Sequence, residues 1–277
     1  DKNIEVPGFI ELLHLGECEE NTMKHIRSVI FLDKASKCEV LENIKQHKNN
    51  NVVFISNVTD VHVSEGASLS FVRFIEGNSK NLHINNVHVQ LDKDSKFIST
   101  SLINSKGQAR AETRVNLLGE NSSSKINILM MGTNNSLQES LTKVKHSTKN
   151  TKSDQIIRII LDENSRGSFQ GKIRVDVGAD GTLANMSGKS LLLSDNARVN
   201  SKPELEILAD DVRCSHGVTV GSLNAEQLFY LRSRGIPENE ARKLLINSFG
   251  NVIINNISTN LAKRAKNLML EDSNKND

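Results

Sequence analysis

Tryptophan is absent from this 277-residue chain, tyrosine occurs once, and phenylalanine nine times. Proline occurs three times and no residue type forms long runs, which excludes collagen-like and low-complexity disordered chains. Cysteine is scarce: Cys18, Cys38 and Cys214 form an odd and scattered set. No disulfide framework is expected from it, and a reducing cytoplasm is the expected compartment. Long apolar runs are missing too. Ile156–Leu161 is broken by Arg158 and Ile126–Met131 by Asn127, both too short to cross a bilayer. No secretory signal opens the sequence, which starts at Asp1 rather than Met. Charge of one sign is also lacking, with 35 basic residues against 33 acidic and a net of +2. Nucleic acid, which calls for a concentrated basic face, is not an expected partner, and neither is a membrane.

Asn and Ser are abundant, together roughly a fifth of the chain. From about residue 26 to 221 they punctuate short segments with period-2 alternation and β-branched residues. Examples are Val52–Ile55, Val61–Val63, Leu69–Val72, Leu82–Ile84, Val87–Val89, Ile126–Ile128 and Leu205–Ile207. Turn clusters such as Ser64-Glu65-Gly66, Asp92-Lys93-Asp94, Glu120-Asn121-Ser122 and Asp195-Asn196 separate them. After the turns an apolar residue recurs at 69, 97, 126, 169, 183 and 199, spacings close to multiples of 14 to 15. That period favours a β-solenoid whose coils stack apolar residues on one another, although a large sandwich also accommodates such strands.

The last 55 residues change character. Asn224 caps a helix with Gln227 three positions on, Leu228 and Leu231 share its face, and Gly235 stops it. Pro237 suits the first turn of a second helix, on which Ala241, Leu244, Leu245, Ser248 and Phe249 line one face. Ile257, Leu261, Ala265 and Leu268 mark a third helical stretch. The expected organisation is an unassigned segment over 1–25, a β-helix over 26–221 and a helical unit over 222–277.

Little in the chain points to catalysis. Gly188-Lys189-Ser190 resembles the end of a phosphate-binding loop, but Leu183 stands where the motif needs glycine. The segment reads as an ordinary turn. His62, His83 and His88 fall in alternating strands, where an outward polar position is the default, and no four-ligand zinc set is apparent. One segment differs: Cys214-Ser215-His216-Gly217. In a strand, positions 214 and 216 point to one face. A thiol beside an imidazolium has a lowered pKa and yields the thiolate that binds iron or sulfur. A small buried cysteine next to an exposed histidine is the plainer reading of the same spacing.

These residues sit in a longer recognisable stretch. Leu192–Ile207 runs on into Ala209-Asp210-Asp211-Val212-Arg213-Cys214-Ser215-His216-Gly217, followed by Val220-Gly221 and Leu228–Ile236. The sequence resembles the SufB/SufD family, scaffold proteins of iron–sulfur cluster assembly, densely over about residues 158–250. Upstream the likeness rests on strand pattern, His146 and Gly167-Ser168-Phe169 with Gly171. The Cys-Ser-His-Gly segment and Leu231–Ile236 are of the SufD kind, and Met186-Ser187-Gly188-Lys189 offers no thiol where SufB-type chains carry one.

The resemblance implies a right-handed parallel β-helix followed by a small helical domain. It implies a non-enzymatic scaffold that pairs with a SufB-like subunit through the β-helices and docks a SufC-like ATPase on the helices, by Leu228, Phe229, Tyr230, Arg232 and Arg234. A homodimer is one state open to the chain alone, and the sequence does not decide it. No stably bound cofactor is implied, only a transient iron–sulfur cluster in the complex, at a site in which Cys214 and His216 would take part with SufB. Removal of residues 224–277 is expected to abolish ATPase association and leave the β body folded. A stand-alone β-helix enzyme or binding protein acting on polysaccharide is the alternative, disfavoured by the ten aromatics.

Overall fold

The computed structural model describes residues 2–16, 21–46, 51–258 and 261–263. Fifteen strands alternate between two parallel sheets that face each other, forming a β-solenoid of about seven coils. The first sheet holds the odd-numbered strands: β1 (Ile10–Gly16), β3 (Lys37–Gln46), β5 (Ser68–Gly77) and β7 (Lys96–Ser105), then β9 (Ser123–Gly132), β11 (Lys152–Leu161), β13 (Thr182–Leu192) and β15 (Val212–Gly221). The second holds the even-numbered ones: β2 (Thr22–Leu32), β4 (Val53–Val63), β6 (Asn81–Leu91) and β8 (Gln108–Leu117), then β10 (Leu137–His146), β12 (Arg166–Val175) and β14 (Arg198–Ile207).

Register partners in successive coils are 26 residues apart at Leu82↔Gln108 and 32 apart at Arg166↔Arg198. The period of 14 to 15 is therefore half a coil, one strand and one corner. A residue stacks on the one two half-coils away, as Leu69 does on Phe97. Five of the six apolar markers face the interior. Leu183 is the exception, 40% exposed on the outer face of β13. The short apolar segments also merge, with 52–55 and 61–63 largely one strand, β4, and 82–84 and 87–89 another, β6.

The corners explain the Asn and Asp content. The turns after β2, β4, β6, β8 and β10 each carry a residue in the left-handed region: Ala35, Gly66, Asp94, Asn121 and Asn150. Asn and Asp tolerate that conformation better than other side chains, and glycine adopts it freely. The corners also bond to one another, as Gly66 N does to Lys93 O and Asp94 N to Glu120 O, both near 3 Å.

Inside, alternate residues of both sheets form one apolar column, including Leu69, Phe71, Phe97, Val115, Ile128, Ile157, Phe169 and Met186. A second core lies outside the solenoid, on the back of the odd-strand sheet. Leu41, Val72, Phe74, Leu102, Leu129 and Ile160 point outward there and pack with Ile253, Ile254, Ile257 and Leu261. This is why the middles of β5, β7, β9 and β11 are buried on both faces, and why β9 and β11 carry nearly continuous apolar runs.

The covering residues come from the end of the chain. Helix α1 (Ala225–Ser233) is capped by Asn224, whose side chain accepts from Gln227 N at 2.9 Å. It ends at Gly235, whose φ of +84° suits only glycine. Pro237 occupies the N-cap of helix α2 (Glu238–Ile254) rather than its first turn. Along α2 the buried positions are Ala241, Gly250, Ile253 and Ile254, with Phe249 half-buried. Leu244, placed on the packed face by spacing, is 51% exposed, because the stripe drifts toward Leu245 and Ile246. The Arg158 guanidinium lies 5.5 Å over the Phe249 ring, Lys125 Nζ donates to Asn256 Oδ1 at 2.7 Å, and Ser258 Oγ donates to Glu39 at 2.8 Å. Helix α2 and the residues after it thus complete a core on the back of the odd-strand sheet. Residues 261–263 are helical, while Ala265 and Leu268 lie outside the described residues, as does Cys18.

Candidate functional site

Among the described residues the last coil is open. β14 and β15 each pair on one side only, so their inward side chains form the uncovered end of the interior column. Val199, Leu205, Val212 and Cys214 are half-buried there, and Val220 is 53% exposed. Apolar residues together with an unpaired strand edge are a ready surface for another chain.

Cys214 and His216 share the inward face of β15, as period 2 requires, in register with Ala184 and Met186 of β13. Ser215 points outward instead, its hydroxyl 2.9 Å from Asn185 Oδ1. Burial pushes the Cys214 thiol up, offset in part by a backbone hydrogen bond from Ala184. His216 does not contribute to that balance, so the lowered thiol pKa expected from their adjacency is not found in the isolated chain. His216 is exposed and has no hydrogen-bond or ion-pair partner among the described residues. The two residues are brought to one face, where burial raises the thiol and the imidazole has no partner among the described residues.

Cys38 and Cys214 stand in the same inward column, through Leu69, Phe97, Ser124, Ser153 and Ala184, at its opposite ends. Six strand spacings, about 29 Å, separate them, so they form no disulfide with each other. Both are free thiols.

On α1 no residue is buried. Phe229 is 72% exposed and Tyr230 58%. Arg234 lies 5.3 Å over the Tyr230 ring, and Arg232 Nη1 is 3.3 Å from Glu238. Leu228 is half-buried and serves the packing of the helix rather than a free surface. The other four form an aromatic and basic face toward solvent. Beside it, a groove of about 350 Å³ runs between the edge of β13–β15 and the helices, lined in part by Lys189, Thr219, Asn224, Leu245 and Phe249.

The remaining motifs resolve as structure. Gly188-Lys189-Ser190 lies within β13 rather than in a turn. His62 and His88 face outward and pair with Asp92 and Asp60 at 3.0 and 3.3 Å. His83, expected outward, is fully buried. Its parity gives the reason, since 83 is odd like the core-facing Val87, Val89 and Leu91. His146 is also buried, with Nδ1 2.7 Å from Thr151 Oγ1 and Nε2 2.9 Å from Ser153 Oγ. Burial pushes both imidazoles down to about 4, so they are neutral spacers. No group of three or more His, Cys, Asp or Glu converges on a metal position among the described residues, and no helix there is long and apolar enough to cross a membrane.

Residues 14–249 match the family model described as the SUF system FeS cluster assembly, SufBD core domain. The chain is similar to the iron–sulfur cluster assembly protein SufD of Escherichia coli, 33% identical over 231 residues, 83% of this chain and 54% of that protein. An iron–sulfur cluster assembly SufBD family protein of Synechocystis is 29% identical over 92% of this chain and 58% of its own length. The SufD of Bacillus subtilis is 24% identical over 92% and 59%. The chain thus spans little more than half the length of these relatives.

Proposed function

Because the chain belongs to the SufBD family of iron–sulfur cluster assembly proteins, we propose that it acts as a SufD-type scaffold without catalytic activity of its own, pairing with a SufB-like subunit at its open last coil. The observation that carries this is the uncapped core layer at β14–β15 with Cys214 and His216 in it. A partner that closes the layer buries the apolar residues and meets both side chains at once. In that setting the nascent cluster is cargo, and His216 offers an imidazole nitrogen of the kind that binds iron. Cys214 is secondary, since burial pushes its thiol up. The exposed face of Phe229, Tyr230, Arg232 and Arg234 serves as the dock for a SufC-like ATPase, which supplies the nucleotide chemistry for which this chain has no phosphate loop.

The test uses the complex reconstituted with its SufB-like and SufC-like partners. His216→Ala leaves assembly of the complex intact and slows cluster build-up, followed by visible absorbance, while Cys214→Ser does less harm. Cluster formation at the wild-type rate in the His216→Ala complex refutes the role given to the last coil. Phe229→Ala with Arg232→Glu weakens ATPase association without shifting thermal stability, and undiminished association refutes the dock.

A further inference from the structure

The first four coils carry a group of polar side chains inside the solenoid that the proposed function does not use. Glu42 lies on the inward face of β3 between Val40 and Ile44, and Arg73 on that of β5 between Phe71 and Ile75. The two are register neighbours, and Ser101 follows Arg73 in the same column. Across the interior stand Asn57 and Asn85 in one column and Thr59 and Thr113 near it. Glu42 accepts from Asn57 Nδ2 at 2.9 Å and from Thr59 Oγ1 at 2.6 Å. Arg73, the largest fully buried side chain, donates from Nη2 to Ser101 Oγ at 3.1 Å and to Thr113 Oγ1 at 3.3 Å.

Half the hydrogen-bonding capacity of this group is unspent. Glu42 Oε2, Asn57 Oδ1, Arg73 Nε and Nη1, and both amide atoms of Asn85 are enclosed without a partner among the described residues. Buried polar atoms are almost always satisfied. Turning the Asn85 amide toward Asn57 would serve one pair of atoms but neither the guanidinium donors nor the carboxylate oxygen. The open positions include both donors and acceptors. An anion would face Glu42, and a cation would face Arg73. A small neutral molecule that donates and accepts satisfies both, and the register neighbours of Arg73 and Asn85 in the next coil, Ser101 and Ala111, carry small side chains.

We propose that coils one to four enclose a structural hydration site, a cluster of ordered water bridging Arg73, Glu42, Asn57 and Asn85. Such water needs two to four polar partners, which this set provides. The cluster keeps both members of the buried pair ionised and fixes the facing sheets at one spacing. The balance at Glu42 agrees: burial pushes its carboxyl up, yet the His14 imidazole, the Arg73 charge and the Thr59 and Asn57 bonds leave it below the usual range.

A crystal structure of the protein at a resolution that orders water tests this directly. The expected result is water density within hydrogen-bond distance of Arg73 Nε or Nη1 and bonded onward to Glu42, Asn57 or Asn85. Direct closure of Arg73 on Glu42 with no density between them overturns the proposal, as does chloride or phosphate density in that place. Oxygen-17 relaxation dispersion supplies a second readout, in which Glu42→Leu with Arg73→Met lowers the number of long-lived waters by at least one. An unchanged number in that folded double variant also overturns it.

Discussion

Ending the chain at Leu223 removes both helices and uncovers Leu41, Val72, Phe74, Leu102, Leu129 and Ile160, each now at most 5% exposed. Burying one such side chain contributes about 1.5–3 kcal/mol, so six represent roughly 9–18 kcal/mol. Neighbouring strands would still cover about half of each, which leaves a loss on the order of 5–9 kcal/mol. A domain of ordinary stability has only about 5–15 kcal/mol in all. The truncated chain is therefore expected to aggregate or to unfold at a much lower urea concentration, seen by size-exclusion chromatography and by far-ultraviolet circular dichroism during titration. Ile253→Ala is the graded version, since Ile253 is fully buried in this core, with an expected cost of about 2–5 kcal/mol. A monomeric chain of residues 1–223 with the parent's urea midpoint would show that the outer apolar ladder contributes nothing, and the reasoning from its burial would fail.

Three further outcomes follow from other parts of the fold. His83 and His146 are neutral in the folded state at about 4, and unfolding returns them to about 6.5. The unfolded chain then binds more protons, so stability is full above about pH 6.5 and falls until about pH 4, by about 3 kcal/mol for each residue. His83→Leu should reduce the drop in urea midpoint between pH 7.5 and 4.5, and an unaltered drop would contradict the assignment. At Gly119 an added Cβ would come within 1.9 Å of Lys93 N in the adjacent coil, so Gly119→Ala must displace backbone and should cost at least about 1–3 kcal/mol in thermal or chemical unfolding. EDTA should leave the melting temperature unchanged, because no metal ligand set stands among the described residues; a fall of several degrees would reveal a structural ion.

The solenoid was legible because its corners and its inward residues repeat, and because parity places Cys214 with His216. The repeat length read short by a factor of two, since the two half-coils use similar corner chemistry and nothing in spacing tells one sheet from the other. Parity also held information that averaging over polar residues concealed. Glu42, Arg73 and His83 share their parity with buried neighbours, yet a charged or imidazole side chain in a strand defaults to the solvent face. The outer core was hidden for a different reason. Val72, Phe74, Leu129 and Ile160 look like part of continuous apolar runs, and only the return of a helix from more than eighty residues downstream shows what covers them. The Cys214 environment depends on which side of the last coil is open, a property of the assembled end rather than of the local sequence.

The return path of the C-terminal segment makes it a ruler for the solenoid. Leu245 lies near β13 and Ser258 bonds to Glu39 on β3, five strand spacings or about 24 Å away. The thirteen residue steps from one to the other advance about 20 Å if helical throughout, close to that span. A coil inserted between β3 and β13 would lengthen the sheet by about 4.8 Å without lengthening the strap. The far contact with Glu39 would then fall out of reach unless the segment gained about three residues. Coil number and helix length are thus coupled in this fold: a change in the number of coils spanned by the strap calls for a matching change in its length, whereas a longer corner does not.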